Sequence, residues 1–371
     1  MILLLLLLCI GLLLLLPHVL LRKFGYKNLT YTLQFSESEV SEGSTVTLIE
    51  TICSRKPLPL PWVKAELTTD VSLRFSEHAA EEVTGDTRFL SSFFSLMPYR
   101  QIERRRTVTC TRRGMYTVSR AVLMLSDLFG TVELSEPYPD ACASLTVLPA
   151  ERETLLPEDF PQQLTGDAIR RRALIPDRFA VSGIRAYTDG DSARDVCWSA
   201  SARSDQLMVW QYHETTSPSL TVLLNCAVRP TDRDQVSDRR KYEDAIRIAA
   251  AYLCAAAHAG IPVRFCANTE VGGALAVTGF CSGADGALRM RRLLAALPLT
   301  VTGRFTDLLR RVSNEDAAAT LLVVTAYTDA ELLKWAVQDP RITVLTLRAP
   351  MEGGAPQNVR CVSAAKLKGS E

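Results

Sequence analysis

Apolar and polar residues alternate along this chain in two rhythms, and the change of rhythm falls near its middle. From Tyr26 to Pro149 the period is two. Tyr31, Leu33 and Phe35 alternate with polar neighbours, as do Val46 and Leu48, and then Val71, Leu73 and Phe75; Val122 and Leu123–Leu125 follow less cleanly. That spacing places apolar side chains on one face of a strand. Turn signals separate the runs: Ser-Glu-Gly at 41–43, Pro57–Pro61, Thr-Gly-Asp at 84–86 and Arg-Arg-Gly at 112–114. Strands so punctuated predict an antiparallel β-sandwich-like domain over 26–149.

Past residue 207 strands alternate with helical patterns. Leu207–Tyr212 is a short strand and Leu220–Asn225 a continuously apolar one. Asp238–His258 follows as a helix, with Tyr242, Ala245, Ile246, Ala249, Tyr252, Leu253 and Ala256 on one face, stopped by Gly260-Ile261-Pro262. Strand Val263–Cys266, helices Gly286–Leu297 and Thr306–Val312, strand Leu321–Thr325, helix Ala330–Gln338 and strands Ile342–Leu347 and Val359–Val362 complete the series. Strands apolar on both faces, joined by helices, predict a doubly wound, mostly parallel sheet. The fold class expected is therefore α/β plus all-β. Residues 150–180, acidic and then basic with several prolines, form the connector between the domains.

The run Ile2–Leu21 is almost pure leucine and carries no charge. Roughly twenty helical residues cross a ~30 Å hydrocarbon core, which predicts an N-terminal transmembrane helix, an anchor over 1–23. A cleaved signal would need a basic n-region and a small-residue cleavage site, and neither is present. Arg22, Lys23 and Lys27 follow the run, so the positive-inside rule places the soluble domains in the cytoplasm of a single-pass protein of the cell membrane.

The chain of 371 residues has a net charge of +1, without the basic bias that nucleic-acid binding needs. Its ten cysteines form no C-x-x-C pair and sit mostly in apolar runs, the pattern of buried thiols rather than of a zinc site or disulfide framework. Arg104-Arg105-Arg106 and Arg112-Arg113 lack interleaved aromatics and are expected to be a solvated strand face, alternate arginines pointing outward. No phosphate-binding glycine loop and no Gly-x-Ser-x-Gly elbow occurs. Of four histidines, His213 follows a strand near Cys226. A hydrolase built on Cys226 or Cys197 is thus conceivable, but no local signature supports it.

Between the rhythms lies Gly183–Arg203, which follows neither period. Asp-Gly-Asp at 189–191 marks a turn. Arg185, Arg194 and Arg203 around Asp191, with Tyr187 and Trp198, are residue types of bidentate ion pairs and contact anchors. The pattern Arg185-x-Tyr187-x-x-Gly190-Asp191-x-x-Arg194-x-Val196-x-Trp198-x-x-Ser201-Ala202-Arg203 resembles the signature of the DUF58 family, departing from it at Ala186, Cys197 and Ser199. Arg113-Gly114-x-Tyr116-x-Val118 and Ser126–Gly130 also resemble it, with Leu128 replacing a proline.

The resemblance implies a membrane-anchored protein with a von Willebrand factor A (vWA)-like domain over 181–371, associated with MoxR-type AAA+ ATPases. Such domains hold a divalent cation through Asp-x-Ser-x-Ser after their first strand. Here Asn225, Ala227 and Arg229 stand at those places, a degenerate set that predicts no metal and no cofactor. Arg229 is expected to fill the space by pairing with a carboxylate such as Asp329. The signature then has two readings. One is an internal latch, in which Asp191 pairs with an arginine and Trp198 packs on the sheet. The other is a recognition surface. The function expected is a non-enzymatic, membrane-tethered scaffold acting through protein–protein contacts; a metal-dependent ligand-binding module is the alternative.

Overall fold

The computed structural model describes residues 19–76, 80–118, 120–127, 133–151, 153–157, 160, 181–189, 191–212, 218–316, 319–347 and 358–362. The chain divides into two compact units, Met1–Ala150 with Arg292–Ala296, and Glu151–Arg291 with Leu297–Glu371.

Among the described residues, twelve strands build the first unit: β1 (Leu29–Phe35), β2 (Glu39–Ser41), β3 (Thr45–Ser54), β4 (Leu60–Asp70), β5 (Leu73–Phe75), β6 (Ala80–Thr84), β7 (Thr87–Leu96), β8 (Gln101–Cys110), β9 (Gly114–Val118), β10 (Arg120–Ser126), β11 (Glu133–Tyr138) and β12 (Ala143–Leu148). They form sheets ordered β1-β3-β8-β5, β11-β10-β4-β7-β6 and β2-β12-β9. The pairing is antiparallel except between β2 and β12. Period two is visible in burial: Leu29, Tyr31, Leu33 and Phe35 point into the core and their neighbours outward. Leu48, Ile52, Leu67, Leu90, Val108 and Leu123 fill the interior.

The arginine run alternates in facing, but it is not a solvated face throughout, since two of its three members turn inward. In β8 it is Arg105 that faces solvent, while Arg106 is buried and Arg104 half-buried. Arg106 Nε lies 2.8 Å from Glu50 Oε1. Arg104 donates to the Phe93 carbonyl at 2.8 Å and lies over the Phe94 ring. Even-numbered positions of β8 face inward because Val108 and Cys110 must, and the arginines inherit that parity.

The second unit contains a hairpin of β13 (Val181–Ala186) and β14 (Met208–Tyr212), with a short helix α1 (Trp198–Ser201) between them. After it come β15 (Leu220–Leu224), α2 (Arg239–His258), β16 (Val263–Val271), β17 (Ala274–Val277), α3 (Gly283–Ala296), α4 (Phe305–Glu315), β18 (Thr320–Thr325), α5 (Ala330–Gln338), β19 (Ile342–Thr346) and β20 (Val359–Cys361). The six-stranded sheet runs β17-β16-β15-β18-β19-β20, with only β17 antiparallel. β15 and β18 are buried at every position, which is why they read as unbroken apolar runs. Asp238 caps α2 through the Lys241 N–H. Gly272 and Gly273 make the two-residue turn between β16 and β17, with φ of 62° and 83°, values that favour glycine.

The expected class, α/β plus all-β behind an N-terminal transmembrane helix, with the second domain vWA-like, is corrected by these findings. The structure is mainly β, 43% strand against 24% helix, in several sheets. Much of that strand content lies in β4, β7 and β8, of 11, 10 and 10 residues, which the apolar–polar alternation did not single out. Among the described residues no helix is long and apolar enough to cross a membrane. Most of the leucine run, residues 2–18, lies outside the described residues. Its last member, Leu21, is 4% exposed and packs in the sandwich core rather than outside it.

Candidate functional site

The signature folds back on its own hairpin. Tyr187 N–H donates to the Leu207 carbonyl, and Cys197 N–H to that of Met208, both at 2.8 Å. Val196 bridges Val209. Ser201 Oγ accepts from Met208 N–H at 2.8 Å and donates to the Cys197 carbonyl at 2.9 Å, pinning α1 to β14.

Asp191 closes the turn. It takes a bidentate pair from Arg185, at 2.7 and 2.6 Å, and accepts from both the N–H and the hydroxyl of Thr188 at 2.8 Å. The Arg185 guanidinium, with the Thr188 donors behind it, holds the Asp191 carboxyl well below the usual carboxylate range. Arg194 and Arg203 are exposed and make no ion pair among the described residues. Gly190 lies outside the described residues. Trp198 corrects half of the expected latch: it is 71% exposed and does not pack on the sheet. Ile184 and Leu207 are exposed as well.

A second concavity lies at the carboxyl ends of the parallel strands, where β15 continues to β16 on one side and neighbours β18 on the other. Open α/β sheets bind ligands at such a switch point. The cavity there has a volume of about 740 Å³ and is lined in part by Asn225, Ala227, Asp232, Asn268, Arg304 and Asp329. Asp232, Asp234 and Asp329, which no sequence spacing connects, all border it.

Its floor is a lattice of amides and hydroxyls. Asn225 Nδ2 donates to Thr325 Oγ1 at 3.2 Å, and Asn225 Oδ1 accepts from Ala227 N–H at 3.1 Å. Asn268 accepts from Cys226 N–H at 2.7 Å and donates to the Gly303 carbonyl at 3.1 Å. Asn268 carries much of this lattice, and sequence reasoning missed it, because β16 also carries Arg264, Thr269 and Glu270 and one more polar residue there gives no distinct signal. Arg229 is exposed and forms no ion pair with Asp329 among the described residues, contrary to expectation. Asp232 instead accepts from the N–H groups of Val228, Arg229 and Ser237 and from the Ser237 hydroxyl. Burial works against the Asp232 charge, but these donors outweigh it and lower its pKa. Asp329 caps α5 through the Leu332 N–H at 2.7 Å.

The residues present do not fit the cation that a vWA-like domain would hold. The Asn225 oxygen is engaged by protein donors, Ala227 has no side-chain oxygen, and Arg229 brings a positive charge. Cys226 is buried with its Sγ 3.9 Å from the Tyr242 hydroxyl, Cys197 is buried beside Ser199, and His213 lies outside the described residues.

Residues 183–332 match the family model described as Protein of unknown function DUF58. That DUF58 match covers the hairpin, the cavity floor and the start of α5. No curated protein matches the chain. Solved structures that resemble it include a non-cellulosomal cohesin from the archaeon Archaeoglobus fulgidus, 11% identical over 32% of this chain and 91% of that one, with a TM-score of 0.24. A cohesin module of a Clostridium perfringens family 33 glycoside hydrolase is 9% identical over 33% and 97%, TM-score 0.24. The CARDB domain of a Pyrococcus furiosus protein, in complex with di-metal ions, is 16% identical over 33% and 96%, TM-score 0.22. Likeness at this level supports no argument about this chain.

Proposed function

We propose that the chain is a non-enzymatic scaffold or adaptor acting through protein–protein contacts at the signature hairpin. A MoxR-type AAA+ ATPase is the partner that the DUF58 resemblance implies. The observation that supports this reading is Trp198, an anchor-type side chain left 71% exposed on a hairpin braced from within by Arg185, Asp191 and Ser201. Trp and Arg are the residues that most often dominate contact energies, and rigid presentation lowers the entropic cost of binding. Arg194 and Arg203 flank Trp198 in sequence with their guanidinium groups exposed.

Capture of the tagged full-length protein from its native cells, under nucleotide-trapping conditions, tests it. Trp198→Ala should lose the ATPase while the melting temperature stays put, because an exposed substitution shifts stability by only about 0.5 kcal/mol. Asp191→Ala should also weaken capture, by loosening the hairpin that presents Trp198. Undiminished capture by Trp198→Ala, or no ATPase captured by the wild type, would refute the reading.

A further inference from the structure

The sandwich carries a second exposed patch that the reading above does not use. The strand ends and the loops they feed bring residues 22–27, 55–62 and 97–100 together. Lys56 Nζ donates to the carbonyls of Phe24 and Gly25, Arg55 N–H to that of Asn28, Ser54 N–H to that of Arg100, and Tyr99 N–H to that of Lys56. The pairing of β4 with β7 sets Leu60 opposite Leu96, so Trp62 and Met97 belong to the same end.

Large apolar side chains point outward there: Phe24 is 40% exposed, Trp62 54%, Met97 64% and Tyr99 69%. Tyr99 sits at φ 53°, a conformation costly for a bulky residue, in the loop that projects it and Met97 into solvent. Phe93, itself exposed, stacks edge-on against Trp62 at 6.3 Å and extends the patch along β7. Lys23, Lys27, Arg55 and Arg100 stand exposed among these side chains, while Glu133, across Ser126 from Trp62, lies at the margin. Soluble surfaces rarely gather apolar side chains so closely. Aromatic rings with interspersed lysine and arginine suit the headgroup level of a bilayer, where the ring buries its body and the cation meets lipid phosphate.

We infer that this end of the sandwich docks on an anionic lipid surface. Two observations favour lipid over a protein partner. The exposed charges are basic, complementary to an anionic leaflet. The chain also enters the sandwich at this end: residues 19–24 are helical, and in sequence they close the uncharged run Ile2–Leu21. The docking is interfacial, made by side chains of the sandwich, and requires no helix that crosses the membrane. Lys56 makes the junction rigid by fixing the last carbonyls of that helical turn, so the patch keeps its orientation relative to the entering chain.

The test uses the full chain with vesicles containing brominated lipid, with Trp62→Phe beside the wild type. Trp62 is the only tryptophan of the first unit, so the difference in quenching between the two proteins reports its contact with lipid. The expected result is a quenched component on anionic vesicles that Trp62→Phe abolishes, and that Arg55→Gln/Arg100→Gln or high salt diminishes with the fold intact. Met97→Ser/Tyr99→Ser should reduce it too. Identical quenching in wild type and Trp62→Phe overturns the inference. So does a Trp62 signal that follows added protein instead of lipid, or one equal on zwitterionic and anionic vesicles.

Discussion

The buried pair of Glu50 and Arg106 offers the most exacting test of the sandwich. Their side chains are 0% and 4% exposed and meet at 2.8 Å. Ser92 Oγ donates to Glu50 at 2.8 Å and accepts from Arg106 at 2.9 Å, while the Tyr31 hydroxyl reaches the same carboxylate oxygen at 3.4 Å. Burial and the neighbouring Glu50 charge raise the Tyr31 pKa well above its ordinary value. Removing one member of such a pair leaves an uncompensated buried charge, at a cost of about 3–5 kcal/mol, whereas replacing both with apolar groups of similar volume is often neutral. Arg106→Met should therefore cost about 3–5 kcal/mol. Glu50→Leu/Arg106→Met should cost less than that single change, keeping about 1–2 kcal/mol from the hydroxyls of Ser92 and Tyr31 that lose their acceptor. Hydrogen exchange of β3 and β8 amides reads the opening free energy of this unit alone.

A single variant that costs less than about 1 kcal/mol, or a double variant worse than the single, would show that the pair is not the buried electrostatic unit described here.

Other expectations follow from single side chains. Burial pushes the Lys56 pKa down from 10.5 to about 8; the native state thus binds fewer protons than the unfolded one between about pH 8 and 10.5, and this residue's contribution to stability rises with pH across that window. Subtracting the denaturation profile of Lys56→Met from that of the wild type isolates it from the tyrosines and cysteines, whose raised values act in the opposite sense. Asp329→Ala removes the cap of α5 and should cost about 1 kcal/mol in thermal melts of the second unit. Asn225→Asp replaces the Nδ2 donor to Thr325 Oγ1 with a second carboxylate oxygen beneath the cavity, facing a hydroxyl whose proton is already given to the Tyr327 carbonyl; a loss of about 1–3 kcal/mol by urea denaturation, not offset by added magnesium, is the expected outcome.

Much of the fold was legible where one physical signal dominated. The inward positions of β1 follow from period two alone, and Asp238 announces the start of α2 because a capping carboxylate precedes a run of period 3.6. Legibility failed where parity or pairing decided the outcome. Nothing in Arg104-Arg105-Arg106 says which arginine faces inward until Val108 and Cys110 fix the register of β8. Glu50, the partner that makes burial of Arg106 tolerable, lies more than fifty residues away in sequence and only pairing with β3 brings it near. The leucine run shows the same limit: its composition implies a uniformly apolar helix, yet Leu21 belongs to a protein core because Gly25 and Tyr26 turn the chain into the sandwich.

The candidate site divides along the same line. Sequence patterning located the signature and the ion pair's chemistry, since Arg, Asp and an Asp-Gly-Asp turn constrain one another within a few residues. It did not foresee that Trp198 faces outward, because exposure depends on what the rest of the unit places against it. At the switch point it registered what Asn225, Ala227 and Arg229 lack as cation ligands and overlooked what Asn225 adds. An aspartate there could only accept; the amide donates to Thr325 while accepting from Ala227, and so joins the ends of β15 and β18 without an ion. Asn268 extends the same lattice from β16 to Gly303. A cation and its carboxylates would hold those strand ends by charge; here neutral groups hold them by matched donors and acceptors. The cavity is therefore braced by the protein's own hydrogen bonds.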